Sequence, residues 1–567
     1  NLMATIDSQV LFLTTSPRTP NKMIPEISLL VENFEGESWN KVTQIRYMDI
    51  LREEQFFNGN ATNDPAFSAR DRINRAPKAL GFVKLSPKIE LTPAGFALIN
   101  AKTPEEIFLR QFLKFQVPSP YHKPTSKAAN FWIKPYLEML RLVRVMGTLK
   151  FDELHIFGMQ LTNWNDFDKI VAKIKKYRND KAINSDSNAL SYREFKSRYL
   201  IEELKEVYSS RILSGNTKTR ESADKSLDNF LRTQASNMRD YADACFRYLR
   251  ATGLVNVSYV GKSLSIIPER IDDVDYILEN VDRNPCFIDD LEQYETYLGD
   301  VNQPRLFTDN REIILQRLKN EFSDVYIDAN ASIESLKQIL AEQFDKRKQD
   351  IINQQITDIK DYKLYDDIQN TFGQIMSGDL YDAPLILEWN TWRAMTMLDG
   401  GNIKANLIFD DFGKPLSIAS GNMPDIVCDY DEYMLSVEVT MSSGQRQYDM
   451  EGEPVSRHLG KLKNSSEKPS YGLFIAPKIN EATIAHFFML HHINVSYYGG
   501  RSVIVPLPLC VFQKMLEDSY KSDYIPTPAH VRNFFEMSMK IAHSGVDEIT
   551  WFEKMKEHAI HWLSIIN

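Results

Sequence analysis

Cysteine is scarce in this chain: four residues in 567, at positions 245, 286, 428 and 510, with no CxxC pair among them. Their scatter argues against a disulfide framework and a cysteine-based zinc module, and reads as reduced thiols of an intracellular protein. Long apolar runs are lacking as well. No stretch nears the roughly 18 residues of a membrane span. The opening "NLMATIDSQVLFLTTSPRTP" shows no basic start, sustained apolar run and small-residue cleavage site, so a cytoplasmic location and no membrane partner are expected. His491-His492 has neither an HExxH frame nor a cysteine partner, which favours core or surface histidines over a zinc site. An excess of basic charge is missing too. The net charge is −10, which taken as a total speaks against a polyanionic partner.

What is present is an uneven distribution. Residues 65–134 hold 12 Lys and Arg against 4 Asp and Glu, the kind of local basic surface that backbone phosphates attract. Residues 281–380 hold 20 acidic against 11 basic residues and so carry nearly the whole negative excess. Apolar content of 43% and charged content of 25% are ordinary for a globular protein. At about 100–200 residues per domain, the length predicts a multidomain chain.

The basic region has internal order. "PAFSARDRINRAPKALGFVKLSPKIELTPAGFALI" predicts a helix ending near Gly81, a short strand pair, and a second helix opened by Thr92 as cap with Pro93 in its first turn. "SNMRDYADACFRYLRATGLVNVSYVGKSLSIIPE" repeats the plan: Arg-Asp on a helix, Gly253, then two strands joined by a tight turn. Two winged-helix subdomains are inferred, the first within 1–134 and the second within 135–283. Such a fold presents a helix to the major groove, where Arg reads guanine in bidentate fashion and Asn bonds bases or phosphates. Arg70, Arg72, Asn74 and Arg75 are the candidates in the first, Asn237 and Arg239 in the second. For each Arg-Asp pair the competing reading is a local ion pair that only fixes the helix. Residues 284–379 follow as an acidic helical linker, with Leu336, Leu340, Phe344, Ile352, Ile356 and Ile359 at helical spacing.

From about 380 to 567, helices and strands alternate in an α/β sheet pattern. "DIVCDYDEYMLSVEVT" turns at 429–432, so Asp425 and Glu438 become neighbours across a hairpin. Hard cations such as Mg²⁺ prefer such oxygen ligands and keep positions open for phosphate and water. Glu388 lies in an apolar run beside Leu387 and Trp389, where an uncompensated carboxylate is costly, and it is the candidate third ligand.

The segments "GNMPDIVCDYDEYMLSVEVTMSSGQRQYDMEGEPVSRH", "LEWNTW", "LFIAPKIN", "SPRTPNKMIPEISLLVENFEGESWN" and "AFSARDRINR" resemble the AlwI-type family of type IIS restriction and nicking endonucleases over almost the whole chain. The resemblance implies two winged-helix-like subdomains that read a short asymmetric site in double-stranded DNA, a helical linker, and a C-terminal PD-(D/E)XK-type nuclease that cuts at a fixed distance outside the site. It maps the catalytic and metal-binding carboxylates onto Glu388, Asp425, Glu438 and Glu451, with one or two Mg²⁺ per site. Thr440 stands where the usual pattern has Lys, and Glu451 is the implied replacement, holding a second cation or orienting water. Arg446, Arg457 and His458 lie near enough in sequence for phosphate contacts. One carboxylate constellation implies one strand cut per chain. The second strand would need another copy or a small catalytic subunit. Competing classes are a DNA-binding regulator with an inactive nuclease-like domain, and a structure-specific repair nuclease that cuts without a dedicated sequence.

Overall fold

The computed structural model describes residues 4–54, 64–125, 127–398, 401–419, 422–522 and 525–563. The chain divides into two compact units, residues 1–53 with 61–341, and 54–60 with 342–567. The acidic stretch is shared between them, and the boundary falls inside one continuous helix. No helix among the described residues is long and apolar enough to cross a membrane, and all four cysteines are free thiols.

In the first unit, helix α1 (Pro65–Ile73) starts where Asp64 accepts a hydrogen bond from the Phe67 N–H at 3.0 Å, with Pro65 in the first turn, where its missing N–H is no loss. A five-residue π turn at Asn74–Lys78 and Gly81 end the helical run. Strands β1 (Val83–Lys84) and β2 (Glu90–Leu91) then pair antiparallel. Helix α2 (Pro93–Asn100) opens with the Thr92 hydroxyl accepting from the Gly95 N–H at 3.0 Å, as its sequence predicts. The second passage forms the same order of elements. Strand β3 (Thr148–Lys150), helix α3 (Leu227–Ala251) and strands β4 (Val255–Ser258) and β5 (Ser263–Ile266) give a helix beside a three-stranded antiparallel sheet of order β3-β5-β4.

The core between these passages is aromatic. Phe112, Tyr136 and Tyr248 are all buried, with Tyr248 stacked on Phe112 at 5.0 Å and on Tyr136 at 5.6 Å between ring centroids. Three helices are thereby joined through large apolar areas at low entropic cost. The acidic residues up to 341 fold onto this unit: Arg110, nearly buried, donates to Asp309 at 2.6 Å, and Lys337 reaches the same carboxylate at 2.8 Å. Much of the acidic excess there is paired rather than displayed.

Helix α4 (Ile333–Lys360) crosses the boundary as one 28-residue element, with Leu336, Leu340, Phe344 and Ile359 buried on one side. The second unit is built on helix α5 (Ala383–Leu398) and strands β6 (Asn402–Ala405), β7 (Ile426–Asp429), β8 (Met434–Val439), β9 (Ser470–Ala476) and β10 (Ile504–Pro508), with helix α6 (Gln445–Ser466) between β8 and β9. The sheet order is β10-β9-β8-β7-β6, with β8, β9 and β10 parallel and β7 antiparallel to both neighbours. Every residue of β8 and β9 is buried, which is why "YGLFIA" is apolar throughout rather than alternating.

Gly81 tests how tightly the first unit is built. Its φ is +81°, and a Cβ there would lie 2.7 Å from the Leu298 Cβ and 3.1 Å from the Leu298 carbonyl oxygen. Gly81→Ala should destabilise this unit by about 2 kcal/mol or more, since strain and clash add. A urea titration followed by fluorescence checks it, and an unmoved midpoint would contradict the packing described.

Candidate active site

The β7–β8 hairpin is set by its turn. Asp429 Oδ1 accepts from the Asp431 N–H at 3.0 Å, and Asp431 takes a left-handed φ of +66°, which short acidic side chains tolerate. The turn is one residue later than the sequence predicts, because Asp429 still pairs with Met434. The ladder runs from that pair to Ile426 opposite Val437. One step further, Asp425 faces Glu438. Asp425 Oδ2 accepts from the Val439 N–H at 2.8 Å, which pins the carboxyl group against the end of β8.

Two other elements bring acids to the same place. A cavity of about 300 Å³ is lined by Glu388 from α5, Asp425 and Glu438 from the hairpin, and Glu451 from α6, together with Thr440 and His458. All four acids named from the sequence therefore face one space. Pro454, without an N–H to offer the Met450 carbonyl, interrupts the α6 ladder beside Glu451 and also lines the cavity.

The electrostatics follow from burial and crowding. Asp425 is held well above the usual carboxylate range, first by burial and then by the Glu438 charge. Glu438 is raised likewise, by burial and then by Glu451. Burial raises Glu451 to about 7, opposed by a hydrogen bond from Thr440 and reinforced by Asp425. Acids this close in a dry site cannot all ionise unless positive charge arrives. His458 cannot supply it, since burial and Arg457 push its pKa down to about 4. Its Nδ1 lies 2.6 Å from Glu438 Oε1 and its Nε2 lies 3.0 Å from Asn422 Oδ1. A neutral ring that donates from Nε2 to Asn422 Oδ1 and accepts at Nδ1 a hydrogen bond from protonated Glu438 satisfies both contacts. This role of His458 and Asn422 was not legible in the sequence, because the contact spans helix and strand.

The donor set is dominated by carboxylate oxygens, the chemistry of a Mg²⁺-type ion. Among the described residues no three His, Cys, Asp or Glu side chains converge closely enough to chelate an ion as they stand, so binding requires these side chains to draw together.

The base-reading candidates are placed in the first unit. Arg70 donates to Gln44 Oε1 at 3.0 Å and remains part-exposed. Arg72 is turned onto the buried carboxylate of Glu26. Asn74 accepts from Trp39 Nε1 at 2.9 Å. Arg75 pairs with Asp71 at 2.5 Å and lines a cleft that Asn237, from α3, also lines. Arg239 is exposed, and its neighbour Asp240 pairs instead with Arg18 at 2.7 Å. The histidine pair is partly structural: His491 is buried, with Nδ1 on the Phe487 carbonyl and Nε2 on Ser538.

Residues 78–515 match the family model described as AlwI restriction endonuclease. The chain belongs to the AlwI restriction endonuclease family. It is thus a DNA endonuclease in general terms. Among solved structures it is similar to the small subunit of the heterodimeric restriction endonuclease R.BspD6I, with 23% identity and a TM-score of 0.28 over 35% of this chain and 97% of that one. It is also similar to restriction endonuclease FokI, with 11% identity and a TM-score of 0.23 over 92% and 98% of the two chains. Likenesses this loose fix no residue-by-residue correspondence. A search of curated proteins found no match.

The raised acids give a pH signature. A carboxyl with an ordinary pKa near 4.5 that sits at about 7 when folded binds a proton more tightly in the native state. Without a cation, stability therefore falls as pH rises from the unfolded value through about 7. A divalent cation bound in the cavity would have to displace that proton, so its stabilising effect would grow across the same window. The rise in melting temperature caused by Mg²⁺ or Ca²⁺ should be larger above pH 7 than near pH 6, and Glu451→Gln should flatten the difference. An equal shift at both pH values would refute this account of the cavity.

Proposed function

We propose that this family member is a Mg²⁺-dependent type IIS endonuclease, which reads a short asymmetric duplex site through two winged-helix-like subdomains of the first unit and cuts one strand per chain at a fixed distance outside it. The observation that carries the reading is the single cavity onto which Glu388, Asp425, Glu438 and Glu451 open. A PD-(D/E)XK-type fold agrees with the mixed sheet whose central hairpin holds Asp425 opposite Glu438. A decayed, purely DNA-binding relative would have no reason to keep four acids crowded onto one cavity, with Glu388 and Glu438 buried.

When bound, a hard divalent cation supplies Lewis acidity at the phosphoryl oxygen and a more acidic water. Asp425, Glu438, Glu388 and Glu451 would hold it. The Val439 N–H fixes one oxygen of Asp425 and leaves the other to ligate. His458 and Asn422 form a chain that orients Glu438, the role outer partners commonly play around ligating groups. Glu451 would orient the attacking water and take up its proton as the water oxygen bonds to phosphorus and one P–O ester bond breaks. Thr440 hydrogen-bonds Glu451 and so positions it, in place of the ammonium group that Lys would bring.

Three experiments test this. Asp425→Ala should abolish cleavage in Mg²⁺ while leaving site-specific binding in Ca²⁺ nearly unchanged, and retained cutting would overturn the catalytic assignment. Sequencing the ends of digested plasmid gives the site and offset. With one such carboxylate cavity among the described residues, nicked plasmid should form first at limiting enzyme, and linear product should rise more steeply than in proportion to enzyme if a second copy supplies the other site. A small catalytic subunit would instead be required if nicking persists at every concentration. Concerted linearisation at limiting enzyme would contradict one centre per chain.

A further inference from the structure

The cleft that Arg75 and Asn237 share has a volume of about 560 Å³ and lies wholly within the first unit. Its far wall is a loop, residues 214–226, between the helix Ser209–Leu213 and α3. We propose that this loop is a DNA-backbone clamp in which Lys218, Thr219 and Arg220 hold a phosphate beside the base-reading helices. The proposal rests on the reading of the chain as a site-specific DNA endonuclease and names a contact surface for it.

Three observations carry it. Lys218 and Arg220 are exposed and line the cleft, and among the described residues neither side chain has an ion-pair or hydrogen-bond partner. That separates them from most neighbouring cations, since Arg75 pairs with Asp71 and Arg18 with Asp240. Between them Thr219 is only 7% exposed, lines the same cleft, and has a buried hydroxyl with no hydrogen-bond partner. A buried hydroxyl left unpaired is costly, and an acceptor arriving in the cleft removes that cost. The loop is also held in shape. Arg211 lies over the Phe230 ring at 5.1 Å and donates to the carbonyls of Asn216 and Lys218 at 3.2 and 3.3 Å, while Asp224 accepts from the Ser226 N–H at 2.8 Å ahead of α3. Arg211 is thus a positioning residue, which fixes the backbone from which Lys218 and Arg220 project.

The occupant follows from chemistry and size. Two cations flanking a hydroxyl donor suit a monoanionic diester, and phosphate contacts of this kind fix register while base edges are read elsewhere. The carboxylates Asp7, Glu221 and Asp240 share the lining, the last paired with Arg18, so the positive field is local and suits one or two phosphates rather than a broad nonspecific face. Arg75 and Asn237 on the opposite wall would then meet the bases attached to the gripped strand.

The test uses the full chain in Ca²⁺, a short duplex bearing the site identified from cleaved ends, and a scrambled duplex. Lys218→Ala with Arg220→Ala should weaken both duplexes by a similar factor and lower the slope of log affinity against log salt by about two. Lys218→Arg with Arg220→Lys should restore the slope, which separates charge from loop shape. Thr219→Val should lower affinity with the slope unchanged. An unaltered slope and affinity in the double alanine variant would overturn the clamp while leaving the nuclease reading intact. Failure of the unmodified protein to bind any duplex would overturn both. A free nucleotide offers the same phosphate chemistry; dAMP binding lost in the double variant, with duplex affinity unchanged, would also overturn the clamp.

Discussion

The second unit is organised around two carboxyl groups that the backbone forces together. Antiparallel register sets Asp425, half-buried, opposite Glu438, which the sheet buries. In a low-dielectric interior, like charges at such range repel far more strongly than in water, and each has lost its hydration besides. Their stability must come from elsewhere. It comes from β8 and β9, buried along their whole lengths, and from Phe474 and Val437 at full burial in adjacent strands. The apolar strands hold a register that the acids alone would not choose, and that conflict is characteristic of a functional site built on a stable frame.

The Thr at position 440 changes the charge balance of such a site. A Lys there would place a fixed cation among the acids. Here the described lining of the cavity contains no Lys or Arg, and His458 is held neutral by burial. The site is correspondingly more negative, and more of its compensation has to come from protons or from bound cations. Glu451 fits that logic as an acid that burial raises to about 7, where it can change state near neutral pH. On the proposed reading, replacing an ammonium group by a further carboxylate moves a role from a covalent side chain to an exchangeable ion.

What the sequence made legible and what it hid differ for physical reasons. The helix caps at Asp64 and Thr92, the glycine at 81 and the hairpin were readable because each is decided within a few residues. Asp425 and Glu438 could be paired because hairpin register follows from the turn. Glu451 entered only through family resemblance, since helix-to-strand packing is not encoded in spacing. The same limit hid the contact of His458 with Glu438, the pairing of Arg72 with Glu26, and the meeting of Arg75 with Asn237 across one cleft. Net charge hid most of all. The acidic total is partly consumed by pairs such as Asp309 with Arg110, so it gave a poor guide to what a partner would meet on any one surface.

Each of the two clefts is complete within its own compact unit: the one lined by Arg75 and Asn237 draws every lining residue from the first, and the carboxylate cavity draws every one from the second. Neither depends on an interface for its chemical groups. Substitutions in one therefore share no contacts with substitutions in the other, and effects on binding and on hydrolysis should combine additively unless DNA itself couples them. On the proposed reading, coupling runs through a shared DNA ligand, because the bases that are read and the phosphate that is broken are different parts of one stiff polymer. On that reading the protein needs no internal switch to join recognition to chemistry; duplex bound at the first cleft would raise the local concentration of backbone phosphate at the second.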